Sequence, residues 1–311
     1  MTHPEALPRL VIAGAGGVIG RHLLAATHGR YERVVLTRGR TRGDGVTRVV
    51  WNPRAAALGD EAGLETVARA LDGAAAIVNL AGSSISAGRL DERHVARLRS
   101  SRVEAGATLS EAARRCEQPP PVWFQASGTN AYLDAGEREI DESGRIDATT
   151  PLGEVGVVWE ASATPPEGTR VVIGRLGMVL APEAEAWKRL LLPIRLFVGG
   201  PLGSGRQWWP WVHVDDAVGA IVWLIEQPRA HGVYNIVGEP VRQIDLARAA
   251  ARRLRRPSLV PVPPFALRTL LGGLADPLLL ESRRVVPEQL FEDGYEFEAP
   301  TIEAAMERLL P

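Results

Sequence analysis

Residues 10–13, Leu-Val-Ile-Ala, run without a polar break into the glycine cluster GAGGVIG (14–20), and an amphipathic stretch opens directly behind it. Few folds accept a short apolar strand, a glycine-rich turn and a helix in that order. Gly14, Gly17 and Gly20 form a GxxGxxG pattern. The first glycine lets the chain turn sharply out of the strand. The second lacks the Cβ that would keep a pyrophosphate away from backbone N–H groups. The third lets helix and strand pack closely. The helix, opening at Val18 and Ile19, would set its partial positive charge beneath the phosphates. The local pattern is that of a dinucleotide cradle.

The rest of the chain agrees with such a first unit. Apolar strand-like runs at Leu10–Ala13, Val34–Thr37, Ala76–Leu80, Val122–Ala126, Arg170–Arg175 and Val233–Val237 alternate with longer amphipathic stretches, such as 93–116. The strands are apolar throughout rather than at every second residue, as expected of a sheet covered on both faces. The expected fold class is α/β, a Rossmann-type doubly wound parallel sheet with a smaller C-terminal substrate domain. Residues 1–175, with 212–238 returning to them, would form the dinucleotide-binding domain. Residues 176–211 and 239–311, rich in Pro, Gly and Trp and helical near 244–256 and from 265, would form the substrate domain.

Composition removes several function classes. With 36 Lys and Arg against 37 Asp and Glu, the formal net charge is −1, and a nucleic-acid partner is not expected. The basic run RRLRR (252–256) reads as a solvated helix end. Cys116 is the single cysteine, so an intramolecular disulfide and a cysteine-based zinc site are both excluded. No histidine pair has metal-ligand spacing, and no metal is expected. The start of the chain lacks the basic-then-apolar order of a signal peptide, and apolar runs stop short of spanning length. A soluble cytoplasmic protein with no membrane partner is the expectation, as a monomer or homodimer acting on a small molecule.

The end of the second strand bears on cofactor choice. An acidic residue there would hydrogen-bond the adenosine 2′-hydroxyl of NAD. The chain instead reads VVLTRGRTR, with Thr37, Arg38, Arg40 and Arg42 and no acid. Arg38 can pair with a 2′-phosphate through a charge-assisted fork. NADP (NADPH) is therefore the expected cofactor, the alternative being that Arg38 is an exposed loop arginine.

The segments GAGGVIG, VNLAGSSI (78–85), ASGTNAY (126–132), IGRLGMVL (173–180), GGPLGSGRQWWPW (199–211) and WVHVDDAVGAI (211–221) occur in this order. That order resembles the extended short-chain dehydrogenases/reductases. It is most similar to an NAD(P)-dependent epimerase/dehydratase-like branch with a short C-terminal module of unknown function, matched here by 285–306. The resemblance spans essentially the whole chain. It implies that Leu80, Ala81 and Gly82 line the adenosine side of the cofactor and that Asn79 fixes that strand end. It further implies that Arg102 faces the cofactor and that Leu176, Gly177, Met178 and Val179 approach the nicotinamide.

Most short-chain dehydrogenases carry a Tyr four residues before a Lys, whose ammonium and the cofactor lower the phenol pKa. Lys188 is the only lysine, and Ala184 stands four residues before it. With Glu160 as anchor, the resemblance puts Leu152 at the Tyr position and Gly156 at the Lys position. Gly128 falls where ordinary members place a Ser. The usual mechanism does not transfer. The candidates for proton handling are then Ser127, Thr129 and Tyr132, which follow the fourth predicted strand of the nucleotide-binding unit. Gln207, Trp208 and His213 are candidates for a substrate pocket. His213 reads either as a general acid or as a loop brace held by Asp215 or Asp216. The tryptophans at 208, 209 and 211 read as pocket wall, core or dimer seam. Ser127 lacks the GxSxG elbow of a hydrolase. Two functions stay open: an NADP-dependent oxidoreductase or epimerase with substituted acid–base groups, which is favoured, and a non-catalytic NADPH sensor or scaffold.

Overall fold

The structure is a computed structural model, and it describes residues 6–39 and 45–310. Seven parallel strands form the central sheet: β1 (Arg9–Ala13), β2 (Glu32–Thr37), β3 (Thr47–Val50), β4 (Ala76–Asn79), β5 (Val122–Gly128), β6 (Arg170–Leu176) and β7 (Gly232–Ile236). Their spatial order is β3-β2-β1-β4-β5-β6-β7. Ile12 of β1 lies level with Val35 of β2 and Val78 of β4. The chain reverses direction across the sheet between β1 and β4, and crevices at such a switch point, outside the carboxyl ends of the strands, bind ligands in open α/β sheets.

Alternate strand residues serve opposite faces, which is why the runs are apolar throughout. Leu10, Ile12, Val35, Val78 and Phe124 share a core with Leu23 of α1 (Val18–Ala26) and with α7 (Val214–Glu226). Val11, Ala13, Leu36, Ile77 and Trp123 share another with α3 (Glu61–Leu71) and α4 (Glu92–Arg114), behind the short α2 (Pro53–Ala57). The doubly wound reading is thereby observed.

A third core lies away from the sheet. Trp187 and Leu191 of α6 (Glu185–Arg195) pack with Trp209, Trp211, Leu246 and Ala250 of α8 (Gln243–Leu254), and with Ile302 and Met306 of α11 (Ile302–Leu309). The C-terminal segment, with α9 (Pro264–Leu271) and α10 (Glu288–Glu292), returns to the sheet. Glu142 accepts from the backbone N–H of Asn235 in β7 and from that of Gln289. Asp216 of α7 accepts from the N–H groups of Glu298 and Ala299 at 2.7 and 3.0 Å. Edge strand β7 is thus covered rather than exposed to pairing. Among the described residues, no helix is long and apolar enough to cross a membrane.

Candidate active site

The glycines of the first turn divide into two kinds. A Cβ on Gly14 would stand 2.6 Å from the Leu80 carbonyl and 2.8 Å from the Ala81 nitrogen, and its φ is +87°. A Cβ on Gly20 would stand 2.4 Å from the Ala15 Cα. The fold itself requires these two glycines: one seats the turn against the exit of β4, the other packs α1 on the strand. Gly16 and Gly17 differ. A Cβ on Gly16 meets nothing within 4 Å, and one on Gly17 meets only the Gly14 oxygen at 3.5 Å. Both are exposed. No protein contact requires these two to be glycine, and the turn is left open on that side. Arg21, which the sequence did not single out, ties the loop down by donating to the Gly16 carbonyl at 2.7 Å. Val18 and Ile19 begin α1, as expected.

The β4 exit is fixed by side-chain amides. Asn79 donates to Gln125 at 2.9 Å and accepts from the Ala81 N–H at 3.1 Å. Leu80, Ala81 and exposed Gly82 follow, facing the glycine turn. Beneath Gly82 lies Arg102, buried on α4. A Cβ on Gly82 would come within 2.9 Å of its guanidinium carbon. Arg102 donates to the carbonyls of Ser83 and Leu98, and its guanidinium lies 4.4 Å from the Trp159 ring centre. Its Nε has no partner, and it forms no ion pair among the described residues. Burial pulls its pKa down to about 10. A buried, unneutralised cation with an orphan donor, next to an open glycine cradle, fits an anionic ligand.

At the end of β2, Thr37 accepts from the Gly39 N–H, and Arg38 is exposed. Arg40 and Arg42 lie outside the described residues. Leu176 closes β6. Gly177 is bare because a Cβ would press 2.8 Å from the Pro210 carbonyl carbon. Met178 and Val179 belong to a three-residue strand paired with Trp211–His213.

The proposed proton-handling residues sit where the sequence placed them, at the end of β5, but two of their hydroxyls are committed. Ser127 Oγ donates to Glu160 Oε1 at 2.7 Å, and the same carboxylate receives two bonds of 2.8 Å from Arg175. Tyr132 is held in the same way. Its side chain is fully buried among Ile140, Val237 and Val285, and its phenol donates to Asn235 Oδ1 at 2.8 Å. Burial pushes its pKa up to about 12. So held, the phenol braces the turn after β5 against β7. Thr129 is buried in the short turn after β5. Leu152 and Gly156 lie on α5 (Pro151–Ala161), which packs against that turn.

The substrate-side candidates are likewise hydrogen-bonded within the protein. Gln207 is buried and donates to the carbonyls of Leu202 and Leu279, tying two loops together. His213 caps α7, its Nδ1 accepting from the Asp215 N–H at 3.2 Å, and burial lowers its pKa. In this arrangement the ring serves as a helix cap, in keeping with the brace reading. Trp208 donates to Glu137, and its ring lies 4.3 and 4.9 Å from the guanidinium carbons of Arg242 and Arg284. Trp209 and Trp211 are core. Among the described residues no His, Cys, Asp and Glu group is arranged to hold a metal ion.

Residues 10–237 match the model of the NAD dependent epimerase/dehydratase family. The chain belongs to that family. Residues 262–309 match a further domain of unknown function, DUF1731. The epimerase family protein SDR39U1 of mouse is 31% identical over 303 residues, covering 96% of this chain and 98% of that protein. An epimerase family protein of Staphylococcus epidermidis is 33% identical over 237 residues, covering 75% of this chain and 79% of the relative. The crystal structure of human SDR39U1 with NADPH superposes with a TM-score of 0.86 at 29% identity, covering 97% of this chain and 99% of the other. A nucleoside-diphosphate sugar epimerase from Corynebacterium glutamicum superposes at 0.75 with 25% identity, over 98% of this chain and 58% of that one.

Proposed function

We propose that this protein is an NADP(H)-dependent oxidoreductase or epimerase acting on a small molecule, with acid–base groups other than the Tyr-Lys pair. The observation that carries the reading is the contrast within one turn: Gly14 and Gly20 are closed by protein contacts, whereas Gly16 and Gly17 are open and exposed. NADPH bound to the human relative supports the cofactor. Here the turn 14–20, Gly82 and Arg102 would hold the pyrophosphate and adenosine half, Thr37 and Arg38 the 2′-phosphate, and Leu176–Val179 the nicotinamide face. The nicotinamide, when bound, supplies or accepts a hydride. Ser127 and Tyr132 have committed hydroxyls, which leaves Thr129 as the hydroxyl to test for moving a proton to or from substrate. The substrates to try first are nucleoside-diphosphate sugars, the class named for the Corynebacterium structure.

The test has two stages. NADPH and NADH are titrated against the protein by tryptophan quenching, with NADPH expected to bind more tightly. Deuterium transfer from 4-deuterated NADPH is then sought by mass spectrometry in nucleoside-diphosphate sugars and in small-molecule extract. Absence of saturable binding for either dinucleotide refutes the reading. Transfer that survives Thr129→Val at the parent rate refutes the role given to Thr129 alone.

A further inference from the structure

We propose that the apolar ridge around Phe197 docks the protein onto an anionic lipid surface. The ridge lies on the core built around α6 and α8. Leu192, Leu196 and Phe197 at the end of α6 are 54, 61 and 55% exposed. Leu259, Phe265 and Leu270 are 81, 71 and 74% exposed. The two stretches are neighbours: Val260 N–H donates to the Gly199 carbonyl and Val262 N–H to the Pro201 carbonyl. Isolated exposed leucines mean little, but exposed Leu and Phe side chains on two segments joined by backbone hydrogen bonds suit an interaction surface. Phe197 also sits at φ 65°, a left-handed conformation uncommon for a bulky residue. Strained backbone therefore presents an aromatic ring to water, with the Arg256 guanidinium stacked 4.3 Å above it.

Charge identifies the occupant. Residues 185–206 hold four Lys or Arg and one Glu, and residues 245–276 hold six and two Asp, in a chain whose net charge is −1; Lys188, Arg248, Arg252 and Arg268 are ion-paired. Arg189, Arg195, Arg255 and Arg256 are exposed and form no ion pair among the described residues. A second copy meeting this face across a two-fold axis would set one positive rim against another. Protruding Leu and Phe flanked by unpaired arginines instead suit an interface where apolar groups enter the acyl boundary and guanidinium groups meet lipid phosphates. The expectation of no membrane partner came from the lack of a spanning run. A chain that lies on the surface needs none.

The full chain is floated with phosphatidylcholine vesicles, with and without phosphatidylserine, at low and raised salt. The expected result is binding to the phosphatidylserine vesicles alone, weakened by salt. Arg255→Glu with Arg256→Glu should lower it by at least about five-fold per arginine. The pair Phe197→Asn with Phe265→Asp should abolish it, asparagine being a residue that tolerates the left-handed backbone. Both pairs should keep the parent's melting temperature and NADPH affinity, since these side chains are exposed and, among the described residues, make no contact with residues 14–20. Failure to bind either vesicle, or binding indifferent to both pairs, overturns the proposal. Capture of a poly-glutamate peptide without vesicle binding would assign the surface to an acidic protein and overturn it too.

Discussion

Replacing Arg102 with methionine separates cofactor binding from architecture. In the protein alone this guanidinium is a liability. Burial moves its pKa from 12.5 to about 10, which at about 1.4 kcal/mol per unit is roughly 3 kcal/mol held against the folded state. The sign is that of a base whose folded pKa is depressed. The penalty is fully present at neutral pH and is relieved only as pH rises through about 10, so it is constant from pH 5 to 8. Methionine keeps the apolar stem and removes that penalty. It gives up two hydrogen bonds, to Ser83 and Leu98, worth about 1 kcal/mol each, and a contact with Trp159 worth about 1 kcal/mol. The two sides balance to within about 1 kcal/mol, so the unliganded melting temperature should move by no more than about 2–4 °C. The pyrophosphate, by contrast, loses a charge-assisted partner worth about 1.5–3 kcal/mol, and the NADPH dissociation constant should rise roughly ten- to hundred-fold. Tryptophan quenching by NADPH and thermal melts with and without cofactor read both quantities. An unchanged dissociation constant with a melt lowered by tens of degrees would show Arg102 to be a structural brace and refute the reasoning.

Gly17→Val should fold with the parent's circular dichroism yet show no saturable NADPH binding, whereas Gly20→Val, whose Cβ meets the Ala15 Cα at 2.4 Å, should fail to fold. Equal behaviour of the two in expression and melting assays would show that the loop is only a turn. Arg38→Ala should lose most of the preference for NADPH over NADH and leave NADH affinity nearly unchanged, measured by the same titration. Glu160→Gln leaves the Arg175 guanidinium buried beside a neutral amide and should destabilise the protein by about 3 kcal/mol or more, read by urea unfolding. Tyr132→Phe removes one buried hydrogen bond and should cost about 1–3 kcal/mol, the Asn235 carbonyl being left without that donor. It should not slow hydride transfer on any substrate found, and a large fall in the transfer rate would return the phenol to the chemistry.

What the sequence discloses of this fold is what lies close together along the chain. β1, β2, β4, β5, β6 and β7 were each visible as short apolar runs, because both sheet faces are covered. β3 (Thr47–Val50) was not, since it is an edge strand whose side chains are half-exposed or exposed. The glycine turn was legible because seven consecutive residues form it. The closure of Gly14 was not, because that depends on Leu80 and Ala81, more than sixty residues onward, whereas Gly20 is closed within the turn by Ala15. The candidates' hydrogen bonds were hidden by the same distance along the chain. Tyr132, Gln207 and Ser127 look reactive in isolation, but their partners Asn235, Leu279 and Glu160 lie 103, 72 and 33 positions away. His213 is the exception, its partner being two residues off, and the brace reading was available beforehand.

The missing Tyr-Lys pair is not a point lesion that two substitutions would repair. Leu152, at the position the family pattern gives to Tyr, packs with Leu98 and Val155 in a small core that Ile85, Leu90 and Leu278 join. Leu278 belongs to the C-terminal segment, so the hydrophobic contact there links α5 to the part of the chain matched by DUF1731. A Cβ at Gly156, the Lys position, would stand 2.9 Å from the Ala131 Cβ. Helix α5 lies too close to the turn after β5 for a lysine to start there. Meanwhile Glu160, one turn further, keeps its bonds to Ser127 and Arg175, so the helix is anchored in this approach rather than loosely placed. At the two positions that the resemblance gives to Tyr and Lys, the chain thus has an apolar packed side chain and a glycine held against Ala131. Loss of a proton-transfer group typically costs about a hundred- to ten-thousand-fold in rate, and the packing here keeps that cost in place. If the site transfers a hydride as proposed, its proton comes from a group other than that pair, and Thr129 is the hydroxyl to test first.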